Sequence, residues 1–175
     1  MLHSLKYATA SACLLLASVA GLPAAQAAPA PSSTTTGVHA ASSSTLTHAQ
    51  AATRLRQAGI TWTTSGHCDD RRRSNCTSFS GIRVRTIQGI SALKRNSRCP
   101  ITITGGTERG HASGTYSHGN GYKLDIKLDR CVNNWIKAHS RRSHDRGDAV
   151  VYTGTVRGVR AAYALERNHW DITFR

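Results

Sequence analysis

The sequence predicts an α+β fold in which helices pack on a mostly antiparallel sheet. Apolar residues recur at spacings of three and four in residues 47–58 and 82–95, a spacing typical of one helix face. Over residues 122–128 apolar and polar residues alternate, which predicts a strand with one buried face. A chain of 175 residues that is 39% hydrophobic has the length and apolar content of a single domain with an ordinary core.

The first 27 residues are predicted to be a signal peptide. Lys6 supplies a basic start, residues 12–22 form a mostly apolar run, and A-Q-A ending at Ala27 places small residues where a signal peptidase reads them. We therefore expect a secreted protein that is cleaved after Ala27. A lipoprotein that uses Cys13 is the alternative, but this cysteine lies inside the apolar run and not after it.

The folded domain is predicted to span residues 46–175. Residues 28–45 are rich in Pro, Ser, Thr and Ala and contain almost nothing to bury, which predicts a disordered linker. Thr47 then has the chemistry of a helix N-cap, alanines and a leucine recur at every third position, and Gly59 ends the pattern. A short alternating strand follows at residues 60–63.

A second helix is predicted to begin at Ser80 or Gly81 and to run to about Asn96. It would bury one face, formed by Ile82, Thr86, Ile90 and Leu93. The other predicted elements are strands at residues 100–104, 122–128, 149–153 and 163–174, a helix at residues 131–138 and a basic loop at residues 140–147.

Four cysteines remain once the signal peptide is removed: Cys68, Cys76, Cys99 and Cys131. In an oxidising compartment they are expected to form two disulfides, for which three connectivities exist. We favour 68 with 76, which would close a short polar loop, and 99 with 131, which would tie the end of one helix to the start of the next. A zinc site built from all four is disfavoured because the paired C-x-x-C spacing is absent.

The charge balance points to an anionic partner. Lys and Arg number 23 against 9 Asp and Glu, a net charge of +14, and loss of Lys6 with the signal peptide leaves +13. Such a charge attracts nucleic acid or an anionic polymer. No apolar run reaches the about 20 residues that a membrane-spanning helix requires, so no membrane span is expected.

Two polar clusters carry the chemistry. The glycine-rich segment 105–121 leads through His118 to Asp125, on the polar face of a predicted strand, and Glu166 and His169 lie near the other end of the chain. His118, Asp125 and His169 are ligand types that a catalytic zinc site uses together with a water. Glu166 could accept a proton from that water. The alternative is a core histidine at His169 and a surface aspartate at Asp125.

The pattern S-H-G-N-G-Y-K-L-D, followed about forty residues later by E-R-N-H-W, resembles the zinc D-Ala-D-Ala peptidase family. That family shares its fold with the hedgehog signalling domain, and the resemblance extends over residues 47–175. It implies a hedgehog-like single domain with Zn²⁺ held by His118, Asp125 and His169. It also implies that Glu166 is the general base.

Two positions depart from the family pattern: Tyr116 stands where the family has Ser, and Lys123 where it has Ala. The family also carries an Arg that holds the substrate carbonyl, and Arg109 is its nearest match. Glu108 and His111 are expected either to support the metal site or substrate from nearby, or to form a simple loop salt bridge, for instance with Arg109.

The resemblance implies a secreted zinc peptidase, acting as a carboxypeptidase or an endopeptidase on peptidoglycan stem peptides. The charge of +13 would draw such an enzyme to anionic cell-wall polymers, and we expect a monomer. Two alternatives stay open. The first is a basic secreted nuclease or nucleic-acid-binding protein, although aromatic residues make up only 6% of the chain. The second is an inactive zinc-binding domain, against which the presence of Glu166 argues.

Overall fold

The computed structural model describes residues 44–175. The predicted signal peptide and nearly all of the predicted linker lie outside these residues. The elements, in chain order, are β1 (Thr45–Leu46), α1 (His48–Gln57), β2 (Thr61–Trp62), β3 (Ile82–Arg83), α2 (Val84–Ser97), β4 (Thr102–Gly105), β5 (Lys123–Lys127), α3 (Arg130–His139), β6 (Arg141–Arg142), β7 (Val150–Val156), β8 (Val159–Leu165) and β9 (His169–Phe174).

Seven strands form one sheet in the order β2-β4-β5-β9-β8-β7-β6. The β2–β4 pair is parallel and the other five pairs are antiparallel. Strands β1 and β3 form a separate antiparallel pair. The predicted α+β class with a mostly antiparallel sheet is confirmed at this level.

Helix α1 begins as predicted. Thr47 is its N-cap, with its hydroxyl accepting from the Gln50 amide while the Gln50 side chain accepts from the Thr47 amide, an arrangement that satisfies two otherwise unpaired donors. Helix α2 instead begins at Val84, later than predicted. Residues 82–83 are extended because they pair with β1, so Ile82 reaches the core from a strand.

The end of the sheet differs most from the prediction. Residues 150–165 form a hairpin of β7 and β8 with its turn at Arg157 and Gly158, and β9 is a separate strand. The predicted strand at residues 163–174 was therefore wrong in joining parts of β8 and β9. Within the predicted basic loop, Arg141–Arg142 pairs with β7 as β6.

The adjacent strands β5 and β9 direct alternate side chains to an apolar face and to a polar face of the sheet. Leu124 and Ile126 of β5 and alternate residues of β9, including Phe174, are fully buried in the core. Helix α2 lies close to this face, since a Cβ at Gly89 would lie 2.2 Å from Phe174 Cδ1. Asp125 faces the other way but is also buried, so the predicted single buried face is wrong at this residue. The glycine-rich segment 105–121 covers it.

The two disulfides pair as predicted. Cys68 and Cys76 close a loop of polar residues, and Cys99, just after α2, is bonded to Cys131 in the first turn of α3. Among residues 44–175, no helix has the length and apolar character needed to cross a bilayer.

Tyr163 provides a test of the core packing. Its side chain is fully buried, and its hydroxyl has no hydrogen-bond partner within residues 44–175. An unpaired buried polar group costs about 1–3 kcal/mol. Tyr163→Phe is therefore expected to raise the free energy of unfolding by about 1 kcal/mol, measured by urea denaturation. A lower midpoint for the variant would show that the hydroxyl is bonded in solution.

Candidate metal centre

Asp125 is the residue on which the candidate centre converges. It lies in the middle of β5, directly opposite Asp171 of β9. Because side chains alternate along a strand, His169, two residues before Asp171, lies on the same face of the sheet. Two adjacent strands therefore bring one histidine and two aspartates together.

Backbone and side-chain acceptors fix the orientation of two imidazoles toward Asp125. His118 Nδ1 lies 2.7 Å from the Gly106 carbonyl oxygen, and His169 Nδ1 lies 2.8 Å from Asn168 Oδ1. Since these oxygens only accept, each Nδ1 is the donor, and Nε2 is the nitrogen that remains for a metal ion. His118 Nε2 is 3.2 Å and His169 Nε2 is 3.6 Å from Asp125 Oδ1.

The oxygen between these two imidazoles lacks a hydrogen-bond donor within the described residues, as does the neighbouring Asp171 Oδ1. Asp125 Oδ1 is buried and accepts no hydrogen bond from any residue between 44 and 175, although a buried carboxylate oxygen is costly when left unpaired. Ligands at about 2.1 Å in a tetrahedral zinc site are separated by about 3.4 Å. The two distances to Oδ1 are near this value. His169 nevertheless lies outside the described group of residues whose candidate ligand atoms all lie within 4.8 Å of one another.

A third imidazole, from His111, faces the other oxygen of Asp125. Its ring stacks on that of His118 with centroids 3.8 Å apart, and its Nδ1 lies 3.6 Å from Asp125 Oδ2. Candidate ligand atoms of His111, His118 and Asp125 all lie within 4.8 Å of one another. These three residues therefore form a buried to half-buried group that could bind a metal ion.

Glu108 orients His111 by a hydrogen bond to Nε2, the ring nitrogen that does not face Asp125. The Glu108 carboxylate is buried and accepts from the amides of Ser78 and Gly106 and from His111 Nε2, the last at 3.1 Å. Burial opposes its ionisation, but these hydrogen bonds outweigh that effect and lower the pKa of Glu108. The bond to Glu108 in turn raises the pKa of His111. Glu108 therefore pairs with His111, and not with Arg109 as the loop salt bridge was expected to do.

Glu166 lies at the edge of the same group. Its Oε2 is 3.4 Å from His169 Nε2, and its Oε1 accepts from Arg146 Nη2 at 2.8 Å. Arg146 Nη2 also donates to Asp171 Oδ2 at 2.8 Å. Both carboxylates, with the histidines and Asp125, line one cavity of about 780 Å³.

A lysine completes the neutralisation of Asp171. Lys123 Nζ donates to Asp171 Oδ2 at 2.6 Å. Burial opposes the ionisation of Asp171, but Lys123 and Arg146 outweigh it and lower the pKa of this carboxyl. Lys123 is a departure from the family pattern, and Arg146 lies outside both motifs. The alternation of β9 could have placed Asp171 beside His169, but nothing local in the sequence places Arg146 there.

Arg109 lies elsewhere. Its side chain is exposed and lines a second cavity of about 530 Å³ together with Arg71 and Arg72. The segment around His111 separates this cavity from the one that contains Glu166 and His169. The structure therefore groups Arg146, and not Arg109, with the predicted ligands.

The disulfide loop 68–76 braces the segment that carries His111 and His118. Arg71 Nε donates to the Thr107 carbonyl at 3.2 Å, its Nη2 donates to the Gly119 carbonyl, and its own carbonyl accepts from the Arg109 amide. The start of the segment must also pass very close to the centre. A Cβ at Gly105 would lie 2.5 Å from Asp125 Oδ2, so glycine is required for this approach.

No family model matches this chain, and neither a curated protein nor a solved structure does. The resemblance to the zinc D-Ala-D-Ala peptidases therefore depends on the motif residues alone.

The contacts of the 68–76 loop predict that the Cys68–Cys76 disulfide supports metal binding and that the Cys99–Cys131 disulfide does not. Replacing Cys68 and Cys76 together by Ser should free Arg71 and lower zinc affinity by about tenfold, as is typical when support behind ligands is lost. The matched control replaces Cys99 and Cys131 by Ser, which removes a cross-link between helices on the other face of the sheet. Both affinities are measured by chelator competition on folded protein, and equal losses in the two variants would contradict the role of the loop.

Proposed function

We propose that this protein is a secreted zinc peptidase that hydrolyses peptide bonds in peptidoglycan stem peptides. The observation that carries the proposal is that His118 and His169 both face Asp125 Oδ1, with Glu166 beside His169. These four residues come from the two motifs that the sequence shares with the zinc D-Ala-D-Ala peptidases.

The charges around Asp125 support a divalent cation. Lys123 and Arg146 both bond to Asp171, whereas the groups that face Asp125 Oδ1 are imidazoles. A buried carboxylate that lacks a hydrogen bond needs an ion or a proton to offset its desolvation. His118, Asp125 and His169 would hold Zn²⁺, with neutral imidazole nitrogens and one carboxylate oxygen as ligands.

When bound, zinc supplies a Lewis acid that polarises the scissile carbonyl and lowers the pKa of water toward about 7. Glu166 accepts the proton that the attacking water loses as its oxygen bonds to the carbonyl carbon. It then delivers this proton to the amine nitrogen as the C–N bond breaks. Arg146 anchors Glu166 through Oε1, which leaves Oε2 as the basic oxygen on the side of His169.

The remaining properties fit an enzyme of the cell wall. Two disulfides are typical of an oxidising compartment, and the charge of +13 after signal-peptide removal favours anionic wall polymers. A peptide substrate would enter the cavity of about 780 Å³. The protein acts as a monomer in this proposal.

A basic nuclease or nucleic-acid-binding protein is the second candidate function. The cavity next to the candidate metal centre favours nucleic-acid binding, because it is lined by Arg71, Arg72 and Arg109. Guanidinium groups bind phosphates in a bidentate manner. A salt titration of DNA binding distinguishes the two. Binding that persists well above moderate salt supports the nuclease, whereas weak binding that is lost there supports the peptidase.

Each proposed ligand should be needed for the metal. His118→Ala, Asp125→Ala and His169→Ala are each expected to lower zinc occupancy strongly, because three protein ligands leave no spare. The folded state should also lose metal-linked stability, since the ion joins a loop and two strands. Metal analysis and thermal denaturation with and without zinc measure the two effects. Full zinc retention in His169→Ala would refute its assignment as a ligand.

Glu166→Gln separates binding from chemistry. The amide keeps the size of the side chain and can still bond to water, but it cannot accept a proton. Zinc content should stay unchanged while the release of amine from peptidoglycan falls about 10²–10⁴-fold. Asp148→Asn is the matched control, because Asp148 is an exposed carboxylate that lines only a neighbouring cavity. Undiminished turnover in Glu166→Gln would exclude Glu166 as the base, and no turnover by the wild type would exclude the peptidase.

A further inference from the structure

We propose that His111 is a fourth metal ligand, oriented by Glu108, which closes the centre before substrate binds. The inference rests on the zinc site proposed above and adds a ligand that the two sequence motifs do not contain. It assigns His111 Nδ1 to the same ion as His118 and Asp125, since these three residues form the group whose candidate ligand atoms all lie within 4.8 Å of one another.

The position of His111 fits ligation. Its Nδ1 lies 3.6 Å from Asp125 Oδ2, close to the about 3.4 Å that separates neighbouring ligands of a tetrahedral zinc ion. The ring is stacked on that of His118 at an interplanar angle of 13°. Two parallel imidazoles therefore present nitrogens to the same carboxylate, His118 to Oδ1 and His111 to Oδ2.

Glu108 explains why His111 would ligate through Nδ1. The carboxylate cannot donate when it is ionised, so His111 Nε2 carries the proton of that hydrogen bond and Nδ1 is left as the acceptor. Amides of Ser78 and Gly106 hold the carboxylate in place at 2.8 and 2.9 Å. A carboxylate that accepts from the other ring nitrogen is one of the arrangements that orient histidine ligands of metals. The role of the buried Glu108 in this proposal is to orient His111.

His111 and His169 are the more accessible of the four proposed ligands. Their side chains are each 24% exposed, against 4% for His118 and 10% for Asp125. His169 is held in strand β9, whereas His111 lies in a loop whose next residues, 112–116, are exposed. Structural zinc sites are closed by four protein ligands, whereas catalytic sites keep one position for water or substrate. His111 is thus the ligand that gives way when a substrate carbonyl or a water enters.

The test measures the metal directly. Zinc affinity is determined by chelator competition for the wild type, His111→Ala, Glu108→Gln and the control His144→Ala, which removes an exposed histidine outside the cavity. His111→Ala is expected to bind zinc about 10–100-fold more weakly, with a smaller loss for Glu108→Gln and none for His144→Ala. Wild-type affinity in His111→Ala would overturn the inference.

Cobalt(II) in place of zinc reports the ligands by its visible absorption. His111→Ala is expected to change the spectrum of the cobalt-loaded protein and to bind azide more tightly than the wild type, because one position has been vacated. An unchanged spectrum and unchanged azide binding would overturn the inference. Thermal denaturation of the metal-free variants shows whether they are folded.

The outcomes separate this inference from the proposed function. If His118→Ala loses zinc while His111→Ala keeps it, His111 is not a ligand and the peptidase proposal stands. If the wild type binds no zinc, both are wrong.

Discussion

The arrangement of the site depends on how the repulsion between two buried carboxylates is offset. Asp125 and Asp171 lie directly opposite each other on adjacent strands, and both are buried. Like charges in this position destabilise a sheet, so the surrounding residues must offset them. Lys123 and Arg146 neutralise Asp171 from one side. On the other side imidazoles surround Asp125, and the metal ion that we propose would offset the charge of this carboxylate.

The glycine-rich segment 105–121 makes this arrangement possible because it covers Asp125 without a side chain at the point of closest approach, Gly105. Buried loops must satisfy their own backbone groups. Here Arg71 and Glu108 provide much of that satisfaction, by bonding to carbonyls and amides at both ends of the segment. Charged side chains outside the candidate metal centre therefore hold the segment that carries two of its histidines.

Local signals in the sequence predicted the features that depend on a few neighbouring residues. The N-cap at Thr47 and the strand around Asp125 are of this kind, and the pairing of Cys99 with Cys131 followed from two helix ends. The start of α2 was placed too early because the β1–β3 pairing, between residues far apart in the chain, holds residues 82–83 extended. The β7–β8 hairpin was predicted only in part: the strand at residues 149–153 covers the first half of β7, whereas Gly154 and the alanines of β8 weaken the strand pattern of the remainder. Long-range contacts likewise determine the positions of Arg146 and His111, which no spacing rule could provide.

Strand β9 also limits how this protein can evolve. Its six residues alternate between the core, which contains Trp170, Ile172 and Phe174, and the cavity, which is lined by His169, Asp171 and Thr173. An insertion or deletion of one residue here would exchange the two sets, since a register shift of one residue turns every side chain to the opposite face. Tryptophan would enter the cavity and charge would enter the core. Length variation between relatives should therefore accumulate in the turns on either side and spare this strand.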